Sequence, residues 1–231
     1  MGLKQKPGFL KKLGFLCKDF FNIEEYIMQL LEANKTQKRT YTTEEYLALE
    51  ETAEYKSEYH DGEIIPMTGG TTNHNQIAGN FYKKFPLTIK GQKYRLFIGD
   101  VRLWIPATRR YVYPDVMVIQ GKPTYQGKNT TTITNPTIIV EVLSKSTAGY
   151  DKTDKFRFYR SIPTFQEYIL IDQNGYHLEH YSKTGEKQWR FTEYDSEQDV
   201  ISLASVEFQF TLSELYEQVD FSEIEEAEPE A

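Results

Sequence analysis

Between residues 94 and 143, apolar and β-branched side chains gather into four runs of strand length, at 94–98, 101–105, 111–119 and 137–143. The last run, Thr137-Ile138-Ile139-Val140-Glu141-Val142-Leu143, opens after Asn135-Pro136 and is nearly all apolar, the pattern of a central strand buried on both faces. Upstream the period changes. His74, Ile77, Ala78, Phe81 and Phe85 recur at helical spacing and predict a helix from about residue 73. Thr42 with Glu45 reads as a capping box opening a helix to about residue 53, and Asp61-Gly62 reads as the turn of a hairpin over 57–67. Downstream, Asp151 with Asp154 predicts the start of a helix reaching about residue 160. Strands follow at 167–172, 176–181 (after the Asn174-Gly175 turn) and 189–194, and a last helix at 211–219. Strands interleaved with helices, and no internal repeat, place the chain in the α/β class.

The 231 residues, 39% hydrophobic and 14% aromatic, suffice for one domain with a filled core, read as residues 41–219. Residues 1–40 form an appended, partly helical extension. The aromatic residues of 9–26 suit a helix face that meets a partner subunit, and Met28 offers a second start, which leaves translation of 1–27 open. Residues 220–231 carry six acids, no base and a proline, the composition of a disordered acidic tail. The single cysteine, Cys17, excludes an intramolecular disulfide and a multi-cysteine zinc site and points to the cytoplasm. No apolar run approaches the ~20 residues of a membrane span. The net charge of −7 is uneven: residues 1–40 hold eight Lys/Arg against four Asp/Glu, and the domain itself is mildly acidic. That balance argues against tight nonspecific nucleic-acid binding. It leaves room for a nuclease, whose metal ligands are themselves carboxylates.

Two carboxylates stand where carboxylates are costly. Glu141 is the one charge in an apolar strand, and Asp115 sits between Tyr113-Pro114 and Val116-Met117-Val118-Ile119. If these strands are neighbours, both side chains converge at one sheet edge, and two hard oxygen ligands suit magnesium, with manganese as a substitute. The bland readings are a turn aspartate after proline and a buried, hydrogen-bonded glutamate.

These residues fall in an ordered series. Tyr113-Pro114-Asp115, Asn135-Pro136-Thr137, Val140-Glu141-Val142-Leu143-Ser144-Lys145-Ser146-Thr147, then Tyr150-Asp151 and Lys155 before Tyr159, resemble the Uma-type family of restriction-endonuclease-like, PD-(D/E)XK nucleases. Upstream, Glu58-Tyr59-His60-Asp61-Gly62-Glu63-Ile64 is similar to the family's Glu-Leu-Ile-Asp-Gly-Glu segment, and His74 and Gly99-Asp100-Val101-Arg102 also correspond. The resemblance implies a central mixed β-sheet flanked by helices, divalent-metal dependence, DNA as substrate and, as for many enzymes of this fold, a homodimer. Carried over, Asp115 and Glu141 are the metal ligands and Glu58 and His74 accompany them. The superfamily's lysine, expected two residues after the glutamate, is replaced by Leu143. Lys155 corresponds to the family's own lysine and Lys145 is the alternative. Against catalysis, Lys155 reads as an i,i+4 partner of Asp151, Glu58 as an exposed strand residue, His74 as a core histidine and Asp100 as a partner of Arg102. Ser144, Ser146 and Thr147 suit capping of the next helix. The competing function is a catalytically silent DNA-binding or interaction module on the same fold. A nuclease for RNA or branched DNA is a third reading.

Overall fold

The structure, a computed structural model, describes residues 39–144 and 147–222. The chain divides into two units, Met1–Thr42 and Thr43–Ala231, and every element below belongs to the second. The expectations for the N-terminal segment, Cys17, Met28, Lys145 and the end of the acidic tail fall outside the described residues.

Helix α1 (Thr43–Glu50) leads into the hairpin β1 (Ser57–His60) and β2 (Glu63–Pro66). Its turn residues Asp61 and Gly62 both take positive φ, 47° and 108°, as the tight two-residue hairpin turn requires. Helix α2 (Thr72–Lys84) starts at Thr71, whose hydroxyl accepts from the His74 N–H at 3.1 Å. There follow β3 (Thr88–Ile89), β4 (Gln92–Ile98), β5 (Arg102–Ile105), β6 (Arg110–Val112), β7 (Val116–Gln120), β8 (Thr132–Ile133) and β9 (Ile138–Leu143). A helical run then comprises α3 (Ala148–Tyr150), a π turn (Asp151–Lys155) and α4 (Phe156–Tyr159). It is followed by β10 (Glu167–Asp172), β11 (Leu178–Gly185), β12 (Gln188–Tyr194), β13 (Val200–Ser202), β14 (Gln209–Thr211) and α5 (Leu212–Leu215).

A seven-stranded sheet in the order β12-β11-β10-β9-β7-β4-β3 forms the centre, with β9 and β10 parallel and the other pairs antiparallel. A second sheet, β2-β1-β6-β5-β8, is likewise mixed, and β13 and β14 form a ribbon. All six residues of β9 are buried. Val140 and Val142 pack with Val116, Val118, Ile169 and Ile171 against Ile77, Ala78 and Phe81 of α2. Ile139 and Leu143 pack with Met117, Ile119 and Leu170 against Phe158 and Tyr159 of α4. Strand alternation thus feeds two cores, and each such side chain contributes on the order of 1.5–3 kcal/mol. Glu141 belongs by parity to the second face, beneath the helical run.

Three expectations need correction. The run 111–119 is two strands in two sheets: β6 ends at Val112 and β7 begins at Val116. Pro114, lacking an N–H and holding Tyr113 extended, breaks the ladder there, and a single hydrophobic run cannot reveal such a change of sheet. Asp151 does not start a helix either. The helical run begins at Ala148 after Thr147, so Asp151 lies inside it with a buried side chain. The last helix, α5, is also shorter than 211–219, opened by Thr211 and Glu214 as a capping box.

Candidate functional site

Strands β7 and β9 pair antiparallel, Val116 opposite Val140, so Asp115 and Glu141 come next to each other where the chain crosses from the smaller sheet into the larger. Backbone amides lock the pair: the Asp115 N–H donates to Glu141 Oε2 (3.3 Å) and the Val142 N–H donates to Asp115 Oδ2 (2.7 Å). His74, one turn into α2, brings Nε2 to 3.1 Å from the same Asp115 oxygen. The other half of the Glu141 carboxylate faces the helical run, where Oε1 accepts from Lys155 Nζ (3.1 Å) and from the Tyr159 hydroxyl (2.7 Å). Lys155 Nζ also lies 2.9 Å from Asp151 Oδ1. On the far side, Glu58 accepts from the Tyr113 N–H (3.3 Å) and pairs with His60 Nε2 (2.7 Å), which lies 3.3 Å from the Tyr150 hydroxyl. All of these side chains but that of Tyr159, which lies behind Glu141, line a half-open cavity of about 380 Å³ that also takes in Ile65, Pro66 and Met67.

Burial pushes the Glu141 carboxyl above the usual range; Lys155 opposes this, while the negative charges of Asp115 and Asp151 add to it. Burial alone would lower the Lys155 ammonium, but Glu141, Glu58 and Asp151 outweigh it and hold Lys155 well above the ordinary lysine value, hence charged. For Glu58, burial is likewise outweighed, by the His60 hydrogen bond and the Lys155 charge, and its carboxyl stays below the usual value. His74 is lifted above its ordinary value because the Asp115 contact outweighs desolvation. Three carboxylates, Glu141, Glu58 and Asp151, therefore act on one lysine. Asp151 Oδ1 is buried and faces the Lys155 ammonium at 2.9 Å. Asp115 and Glu141, held side by side at the cavity, offer the hard oxygen ligands that suit a divalent cation.

The family described as "Uma2: Putative restriction endonuclease" matches residues 43–214. The chain belongs to the Uma2 family. Two uncharacterised proteins of Synechocystis sp. are similar to it. One, sll1609, is 48% identical over 73% of this chain and 93% of its own length; the other, slr1290, is 34% identical over 77% and 92%. A crystal structure described as a "putative nuclease belonging to DUF820", from Anabaena variabilis, superposes with a TM-score of 0.62 at 18% identity, covering 77% of this chain and 98% of that one. At that identity the likeness shows the shared fold, a restriction-endonuclease-like α/β core with mixed sheets flanked by helices. Restriction-endonuclease-like enzymes as a class use divalent metals. Among the described residues no helix is long and apolar enough to cross a membrane.

Within the Uma2 domain, Asp115, Glu141, Glu58, His74 and Lys155, all expected from the sequence, line one cavity. Glu58 is buried rather than exposed, and His74 turns toward Asp115 rather than into the core. Asp100 is exposed and pairs with Lys56 instead of Arg102, away from the cavity lining. Arg157 pairs with Asp154, and Ser144 Oγ accepts from the Thr147 N–H at the start of the helical run. Sequence reasoning left out His60, Asp151 and Tyr159. The spacing Asp151–Lys155–Tyr159, three polar residues at i, i+4 and i+8, could have marked one helix face directed at the glutamate. Among the described residues, the three ligand-type groups lying within 4.8 Å of one another are elsewhere, at His177, Glu179 and Glu193 on β11 and β12. Their atoms are already paired, His177 with Glu193, and Glu179 with Lys152 and Tyr181.

Gly70 sets the His74 ring. A Cβ there would lie 3.0 Å from His74 Nδ1 and 3.3 Å from its Cγ. Gly70→Ala should therefore displace the ring from Asp115 and weaken the contact that raises its protonation. The imidazole of the variant is expected to titrate at lower pH than in the wild type, read by NMR. An unchanged titration would show that Gly70 does not position it.

Proposed function

We propose that this protein is a Mg2+-dependent endonuclease that hydrolyses DNA phosphodiester bonds, with residues 41–219 as the working domain. The reading rests on one observation: Asp115 and Glu141 are held side by side, Glu141 by the Asp115 amide and Asp115 by the Val142 amide, in the lining of a half-open cavity. Asp115 and Glu141 are the residues that would hold the cation. Mn2+ is an alternative ion. A cation bound there supplies Lewis acidity toward the scissile phosphate and the attacking water.

The protein's own groups do the rest. Lys155, kept charged by the carboxylates around it, offers its ammonium to the charge that develops on the phosphate. His74 fixes the Asp115 carboxylate and, being readily protonated, tempers its charge. Glu58 secures the Tyr113-Pro114-Asp115 crossover through the Tyr113 amide, so that Asp115 enters β7 in one position. We place the protein in the cytoplasm as a homodimer in which two cavities address two strands, by analogy with enzymes of this fold. The silent-module reading draws on Leu143, buried where a lysine is expected, and on the acidic charge of the cavity.

The deciding experiment incubates purified protein with supercoiled plasmid and Mg2+ or Mn2+. Nicked and linear products should appear, and should be lost with a chelator and in Asp115→Ala. Equal cleavage by both proteins, or none by either, would sink the catalytic reading.

A further inference from the structure

The Glu141 carboxylate is divided between two neighbours. Among the described residues Oε2 faces Asp115 and accepts the long 3.3 Å amide bond, whereas Oε1 faces Lys155 and Tyr159. Lys155 Nζ lies between Glu141 Oε1 at 3.1 Å and Asp151 Oδ1 at 2.9 Å. The Asp151 side chain is only 3% exposed and its Oδ1 faces the Lys155 ammonium, which is its partner in this buried pocket. Ordinary helix-cap and surface roles for Asp151 are excluded by its place inside the helical run. The π turn shapes that place. Asp151, Lys155 and Tyr159 all point at β9, and the Tyr168 hydroxyl ties the Asp151 carbonyl to β10 at 3.1 Å.

Two acidic niches therefore share one glutamate. The first, Asp115 with Glu141 Oε2, is open to the cavity and, among the described residues, is met by His74 and by no lysine or arginine in ion-pair contact. The second, Glu141 Oε1 with Asp151, is already filled by a positive charge. Resting on the reading that a divalent cation binds between Asp115 and Glu141, we propose that Asp151 and Glu141 form a second cation niche, in which the Lys155 ammonium permanently stands in for a second divalent ion. Glu141 is then the bridging carboxylate of a two-cation centre, one of whose cations is covalently part of the chain. Asp151 is a positioning residue that keeps the ammonium at the centre instead of letting a flexible four-carbon side chain reach water.

The inference fixes a stoichiometry. Mn2+ titrated into the full chain and followed by electron paramagnetic resonance of the free ion should show one ion bound per wild-type chain. Lys155→Ala, which vacates the second niche while leaving its carboxylates, should bind two. Adding Asp151→Asn to that variant should return the count to one, and Asp115→Asn in the wild-type background should abolish binding in the first niche. One ion in both wild type and Lys155→Ala overturns the second niche and leaves the Asp115–Glu141 reading standing. Two ions in wild type also overturn it, and none in wild type overturns both. If Lys155→Ala does not fold, Lys155→Gln serves, since it keeps the bulk without the charge. Its melting temperature should rise on adding Mn2+ by several degrees more than that of the wild type, as expected when an ion binds only the folded state. An equal rise in the two proteins overturns the proposal.

Discussion

Glu141→Ala should abolish cleavage and weaken the fold, whereas Asp115→Ala should abolish cleavage and leave the fold nearly intact. The two carboxylates serve the same proposed ion, so removing either should lower turnover by about a thousandfold or more, the scale on which loss of a charge-stabilising group acts. Their structural surroundings differ. The Asp115 side chain is 20% exposed, and its loss frees the Val142 amide and His74, both of which water can reach through the cavity. A stability change of about 1 kcal/mol is expected there. Glu141 is buried and answers both Lys155 and the Tyr159 hydroxyl. Its removal leaves a buried ammonium with Asp151 as its remaining ion-pair contact and the more distant Glu58 charge, and a buried hydroxyl without an acceptor. The cost should be about 3–5 kcal/mol in urea unfolding. Glu141→Gln, which can still accept from both donors, should recover part of that stability and none of the cleavage. Equal stability losses for the Asp115 and Glu141 alanine variants would mean that the burial difference has no energetic weight.

A second large effect is expected far from the cavity. Glu167 at the start of β10 is fully buried and bonded to His180 at 2.5 Å, to the amides of Ala204 and Ser205 at 3.0 and 2.7 Å, and to the Ser205 hydroxyl. It clamps the segment after β13 onto the central sheet. Burial alone would raise this carboxyl, but those donors outweigh it and hold Glu167 below its ordinary value of 4.5. A carboxyl depressed on folding stabilises the protein above its unfolded-state pKa and loses that contribution as pH falls through the folded-state value. Wild type and Glu167→Gln should therefore differ in stability at pH 7 and converge as the pH drops well below about 4. Glu167→Ala at pH 7 should cost about 3–5 kcal/mol, because it strands a buried histidine and two amides. Denaturant midpoints across pH measure both. A gap between wild type and Glu167→Gln that persists at low pH would show that the charge is not what matters.

How far these effects could be anticipated from sequence depends on the residue. Glu141 was legible because a charge inside an apolar strand has to be answered by something, and β9 is the buried central strand its composition implies. Asp115 was legible through Pro114 and the strand after it, although the change of sheet at that point was not, since pairing partners leave no mark in a single run. Lys155 was identified, but as a residue reaching in from a helix opened by Asp151. The helical run in fact begins earlier and passes through a π turn, which buries Asp151 beside the lysine. A one-residue change of helical winding has no hydrophobic signature, and it decides whether an aspartate caps or faces a site. Glu167 and His180 escaped notice because their partners, Ala204 and Ser205, lie almost forty residues on in an irregular segment.

The cavity is also built from distant parts of the chain. Glu58 reaches it because β1 pairs with β6, Asp115 lies at the entry to β7, Glu141 on β9, and Lys155 and Tyr159 on the helical run that follows them in the chain. Contacts so far apart in sequence form late in folding, after loop-closure entropy has been overcome. A chain interrupted on the ribosome before Tyr159 thus carries every metal-seeking carboxylate named here except an assembled place to use them. On the proposed nuclease reading, cleavage is withheld by topology until synthesis of the domain is well advanced.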